Sequence, residues 1–192
     1  VFAETVLQII NQNIRFQHMY ANSIVRPAIA TGLLLLIPLI AMRFTAEVQW
    51  TGSDFLFMGI ILFAGGLAFE LISKTSKQTS YRAAVAIPVL ASFLLVWVNA
   101  AVGIIGEDNP GNLLYAIVIA LAFLGALSVR FETRKSSNVM FATAAAQFFV
   151  PIIALLFWPT DFAPGAARVV ILNFFFVMMW LASGLLLRQS TR

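Results

Sequence analysis

The chain has 192 residues, of which 61% are apolar and only 10% charged, with a mean hydropathy of +0.93. A soluble domain is about half apolar and about a quarter charged, so this composition excludes a soluble enzyme, a disordered tail and a secreted disulfide scaffold, and leaves a polytopic membrane protein. The net charge of +4 would raise nucleic acid as a partner in a soluble protein, but here the basic residues sit in short loops between apolar segments, so no nucleic acid is expected.

Residues 1–26 read as a separate element. Phe2, Val6, Ile10 and Ile14 recur at four-residue spacing, and Glu4, Gln8, Asn11, Gln12 and Arg15 fill most of the other face. The pattern predicts an amphipathic helix lying in the membrane interface. A tail docked on the helix bundle is one alternative, and a docking surface for another protein is a second. The chain begins at Val1 rather than methionine, and its first residues lack the basic stretch and uninterrupted apolar run of a secretory signal.

Six stretches are then long and apolar enough to cross a hydrocarbon core, which takes roughly 20 residues at about 1.5 Å rise each. They cover approximately 27–43, 54–74, 82–106, 110–130, 137–159 and 165–187. They are continuously apolar and lack barrel alternation, so they are helices. Short connectors make sequential helices antiparallel hairpins. Asp54 and Asn112 stand at expected N-caps, and Pro27 and Pro110 near expected helix starts. The expected architecture is all-α: a six-transmembrane-helix bundle over 27–188, preceded by the 1–26 segment and followed by a short tail, 189–192. Arg26, Arg82 and Ser137 open the odd helices at a spacing near 55 residues, which raises an internal repeat against the plain effect of even loops.

Orientation follows from lysine and arginine. With the N-terminus cytoplasmic, Arg15, Arg26, Lys74, Lys77, Arg82, Arg130, Arg134, Lys135, Arg188 and Arg192 fall inside, and only Arg43 and Arg168 outside. That bias places both termini in the cytoplasm. Glu47, Asp54, Glu107, Asp108 and Asp161 fall outside.

Polar groups inside the spans are the candidates for function, because hydrocarbon makes them costly unless they are partnered. Glu70 is the acidic residue well inside a span; it reads either as a proton or cation site or as a carboxylate paired with Lys74 or Arg82. Asn99, Gln147 and Asn173 each need a partner, as interhelical bonds or as the lining of a cavity. Pro38, Pro88 and Pro151 interrupt the odd-numbered spans. In the outer loop, Glu107, Asp108, Asn109 and Asn112 carry oxygen ligands suited to a hard cation, but consecutive turn residues fit capping better.

Several chemistries are missing from the sequence. Cysteine is absent and His18 is the one histidine, so no thiolate or His-rich metal site and no cofactor is expected. There is no Walker A, H-E-x-x-H or G-x-S-x-G pattern, and all three lysines fall in loops. Catalysis by this chain alone is therefore not expected.

The run Trp97-Val98-Asn99-Ala100-Ala101-Val102-Gly103-Ile104-Ile105-Gly106, continued by Glu107-Asp108-Asn109-Pro110-Gly111-Asn112-Leu113-Leu114-Tyr115, resembles a family of small bacterial inner-membrane proteins with no known activity. Tyr81 to Val85 and Phe141 to Ala144 are further points of likeness, so the resemblance covers roughly 50–150. Family members often carry an extra small residue before the Glu-Asp-Asn-Pro run, and the N-terminal extension has no counterpart among them. The resemblance implies a bacterial inner membrane and no particular activity.

Two functions remain in competition. One is a non-catalytic subunit or accessory protein that docks on or stabilises a larger membrane complex, with lipid and a membrane-protein partner or a second copy as its contacts. The other is a small transporter or channel. Where Glu70, Asn99, Gln147 and Asn173 point discriminates between them: one shared cavity favours transport, and local partners favour the accessory reading.

Overall fold

A computed structural model describes residues 2–74, 76, 78–159 and 165–190, and for residues 2, 3 and 5–22 it describes the backbone alone. Every long element among the described residues is an α-helix: α1 (Phe2–Phe44), α2 (Gly52–Ser73), α3 (Thr79–Val102), α4 (Leu113–Ser128), α5 (Thr133–Phe157) and α6 (Ala166–Gln189), and a 3-10 turn at Pro110–Asn112 precedes α4. Six segments are long and apolar enough to span a membrane, the first being Ser23–Phe44 within α1. The chain is a multi-pass integral membrane protein. Its spans are helical because hydrocarbon offers no water to backbone N–H and C=O groups, which must pair within each segment.

Several boundaries differ from the sequence reading, among them the start of α5, at Thr133 rather than Ser137. Pro27 does not open a helix; it lies inside α1, whose backbone is helical from Phe2 through Phe44. At about 1.5 Å per residue this 43-residue helix is about 65 Å long, twice the thickness of a hydrocarbon core of about 30 Å. The side chains of Phe2, Val6, Ile10 and Ile14 lie outside the described residues.

The N-cap of α2 is Thr51 rather than Asp54. Thr51 N–H donates to Asp54 Oδ2 at 2.7 Å, while Asp54 N–H reaches back to Thr51 Oγ1 at 3.4 Å. This is a reciprocal box with Asp54 at the third helical position. The third span stops at Val102, four residues before its expected end, because Gly103 adopts φ +56° and breaks the helix. Asn112, finally, makes no capping bond to α4.

The chain forms two compact units, residues 1–71 and 72–192. In the first, α1 and α2 pair as an antiparallel hairpin at small residues: a side chain at Gly66 would press on Pro27, and one at Gly59 would touch Leu35. Ser23, Pro27 and Thr31, one turn apart, are the buried positions of the α1 span.

In the second unit four helices close a ring. α6 packs against α5 and α3, α4 packs against α5, and α3 and α4 touch more sparingly. α4 thus leans on α5 more than on α3, its neighbour in sequence, so the bundle is not built as two separate hairpins. The buried stripe of α6 is Val169, Asn173, Phe176, Val177, Trp180, Ser183, Gly184 and Leu187, spaced as one helical face. Gly125 lets Val139 of α5 approach α4, and Gly184 does the same for the Phe141 ring. Between α4 and α5 the chain reverses without glycine, with Arg130 and Phe131 both at positive φ.

Candidate functional site

Polar side chains within the spans are drawn into three separate networks. The first organises the α3–α4 turn. Asn99, near the end of α3, donates from Nδ2 to the Asn112 carbonyl at 2.9 Å and accepts at Oδ1 from Ile104 N–H at 3.3 Å. Asn112 answers from the other side: its Oδ1 accepts from Ile105 N–H at 3.0 Å and its Nδ2 donates to the Gly106 carbonyl at 2.7 Å. Asn109 Oδ1 accepts from Gly111 N–H at 2.7 Å and caps the 3-10 turn. These bonds supply partners to backbone groups released where α3 ends. Gly103 is required here: its φ is left-handed, and a Cβ would run into the Gly106 carbonyl oxygen.

The turn residues therefore divide. Asn109 is buried and the Asn112 carboxamide is tied to the turn backbone, while Glu107 and Asp108 are exposed. The Oδ1 atoms of Asn109 and Asn112 each accept a backbone N–H, so they serve the turn.

The second network lies inside the four-helix bundle. Gln147 on α5 donates from Nε2 to Asn173 Oδ1 on α6 at 2.7 Å. Asn173 Nδ2 donates to the Tyr115 hydroxyl on α4 at 2.9 Å and to the Val169 carbonyl at 2.8 Å. Gln147, Tyr115 and Asn173 are 0%, 1% and 2% exposed. One amide thus ties three helices, and in hydrocarbon such bonds hold helices together where apolar contact does not distinguish protein from lipid. Gln147 Oε1 is buried without a hydrogen-bond donor.

Two serines extend this polar seam without involving ionisable groups. Ser137 Oγ donates to the Gly184 carbonyl and Ser183 Oγ to the Ala84 carbonyl, each at 2.7 Å, joining α5 to α6 and α6 to α3. At the basic end, Arg188 reaches Asn138 Oδ1 at 3.2 Å with its guanidinium 4.7 Å above the Phe141 ring.

The third network belongs to the α1–α2 hairpin. Glu70 Oε1 meets Arg26 Nη1 at 3.6 Å, and the carboxylate side chain is 13% exposed against 71% for the arginine. The carboxylate is thus sheltered while its partner is exposed, and the pair links α1 to α2. The sequence offers Lys74 or Arg82 for this role, and the structure adds Arg26 on α1.

No protein-family model matches the chain, and no curated protein or solved structure does. The functional reading therefore rests on the geometry. Of the four intramembrane candidates, Gln147 and Asn173 come together, Asn99 serves a turn, and Glu70 serves a different hairpin. Tyr115, Ser137 and Ser183 complete the bundle's bonding and are not among the polar candidates that the sequence offers. Tyr115 carried a signal, since a phenol placed early in an apolar span needs a partner for its hydroxyl.

Proposed function

We propose that this chain is a non-catalytic integral subunit or accessory protein that docks on or stabilises a larger membrane complex. The observation that supports the reading is the division of the intramembrane polar groups into local structural bonds: Glu70 with Arg26, Asn99 with the turn, Gln147 with Asn173. A transport path needs polar groups that face a shared aqueous route and exchange partners with the cargo. Here each carboxamide is held by at least one bond to backbone or to another side chain.

The long α1 adds to this reading. Its helix extends 21 residues before the span that starts at Ser23, with an amphipathic sequence suited to a partner or to the membrane surface. The lysine and arginine bias supports cytoplasmic termini, and the resemblance around Trp97 to Tyr115 supports a bacterial inner membrane.

Native mass spectrometry after mild extraction from the source membrane tests the proposal. Stoichiometric co-purification with other membrane proteins is the expected result. A lone monomer or homo-oligomer, together with flux in vesicles that Glu70→Gln abolishes, would replace it with a transporter.

A further inference from the structure

A groove of about 670 Å³ runs between α3 and α4, on the side of the bundle where those two helices touch most sparingly. Its walls are apolar, with Val96 and Ala100 on α3 and Ala116, Ala120 and Leu124 on α4 over the buried Leu95, and its polar end is formed by Asn99 and Asn112. The volume falls within the range of small-molecule sites, about 300–1,000 Å³, and the pattern of apolar walls with few polar groups is theirs too.

The groove's length and polarity identify its occupant. On α4 the lining runs eleven helical steps from Leu113 to Leu124, about 17 Å at about 1.5 Å each, while on α3 it runs only from Leu95 to Ala100, so the deeper part lies along α4 alone. One leaflet of a hydrocarbon core about 30 Å thick is about 15 Å deep. Asn112 stands at the start of the fourth span, so the polar end lies at the membrane surface and the apolar end near the midplane. Each asparagine amide carries two N–H donors. Asn99 spends one on the Asn112 carbonyl and Asn112 spends one on the Gly106 carbonyl. Those bonds use one donor of each amide, and both amides line the groove, so an acceptor there would meet a donor that an apolar partner helix leaves unmet.

We propose that this groove binds one acyl chain of a membrane phospholipid, with an ester carbonyl oxygen of its glycerol backbone accepting from the Asn99 and Asn112 amides. The ester group is the lipid's acceptor at the hydrocarbon boundary, and the chain below it spans one leaflet. The site is independent of the proposed accessory role.

The test is photolabelling of the full chain reconstituted in vesicles of phosphatidylethanolamine and phosphatidylglycerol, with a fraction of the phosphatidylglycerol carrying a diazirine in one acyl chain. Adducts are mapped by peptide mass spectrometry. Labelling of Val96, Ala100, Ala116, Ala120 and Leu124 is expected to exceed, several-fold, that of Ile171 and Phe174, which are exposed on α6. Ala120→Trp, which fills the groove from an exposed position, should lower groove labelling to the α6 level, whereas Ile171→Trp should not. Equal labelling of groove and α6 in the unaltered chain would overturn the proposal. So would cross-linking of the groove to a second copy of the chain. The unaltered chain decides both outcomes, so the result does not depend on how the variants fold.

Discussion

The α1–α2 hairpin and the α3–α6 bundle are built from equally apolar helices, yet they are buried to very different extents. The spans of α1 and α2 have mean hydropathies of 2.1 and 2.3, and 6% of each is buried. Those of α5 and α6 have nearly the same values, 2.1 and 2.3, with 33% and 39% buried. Hydropathy decides that a helix enters the membrane, not what it packs against, because lipid tails are as apolar as leucine. What separates the two regions is the placement of polar and small residues. The bundle has Ser137, Thr143, Gln147, Asn173, Ser183 and Gly184 on facing stripes of α5 and α6, and its bonds reach α3 and α4. In the hairpin, the Arg26–Glu70 ion pair and the approaches at Gly66 and Gly59 are contacts among the described residues between two helices whose other faces carry exposed residues such as Ile29, Leu33, Ile37 and Ile60. The bundle supplies its own interior, and the hairpin offers its surface to whatever surrounds it.

The largest expected effect attacks the bundle's central amide. Asn173→Leu removes the acceptor of Gln147 Nε2 and the donor to Tyr115, leaving a buried carboxamide unpaired. Unfolding in mixed micelles should show a loss of about 3 kcal/mol, set by the desolvated Gln147 rather than by the bonds themselves. Adding Gln147→Leu should recover at least half of that loss, because removing both partners leaves no orphaned amide. If the double variant is as unstable as the single one, packing rather than hydrogen bonding holds α5 to α6, and the contrast with the hairpin loses its basis.

A smaller effect is expected at the α3–α4 turn. Gly103→Ala forces a side chain into a left-handed backbone and against the Gly106 carbonyl, at a cost of about 2 kcal/mol. Amide exchange at Ile104 and Ile105, whose N–H groups bond Asn99 and Asn112, should accelerate, while amides of α6 keep their protection. Uniform acceleration across the bundle would mean that the turn is part of its core.

These two sites show what the sequence made legible. The six spans were visible because continuous apolar runs must be helical in hydrocarbon. Their ends were less so. Hydropathy carried the third span through Gly103-Ile104-Ile105-Gly106, since nothing in side-chain polarity records a positive φ, and the two isoleucines are buried in a turn instead. Thr51 was passed over although Thr51-x-x-Asp54 is a capping pattern with a known mechanism. Asn112 sat at a helix start, as an N-cap should, but its side chain serves residues six and seven positions back. The need of Gln147 and Asn173 for partners could be read from their place in the spans. Their pairing with each other, and with Tyr115 58 residues away, depends on which helices become neighbours, and a single sequence does not state that.

The smallest effect belongs to the hairpin and sharpens the comparison from the other side. Glu70→Gln removes the charge that meets Arg26, but the arginine is 71% exposed and solvent screens the pair, so the expected cost is at most about 1 kcal/mol. The same unfolding assay used for Asn173→Leu should place the two variants well apart, although each removes one polar partner from an interhelical contact. Added salt should narrow the gap between Glu70→Gln and the unaltered chain, because a half-exposed pair is screened while the buried amide network is not. A Glu70→Gln loss as large as that of Asn173→Leu, and insensitive to salt, would mean that the carboxylate is held in a closed interior. The hairpin would then share the bundle's mode of assembly.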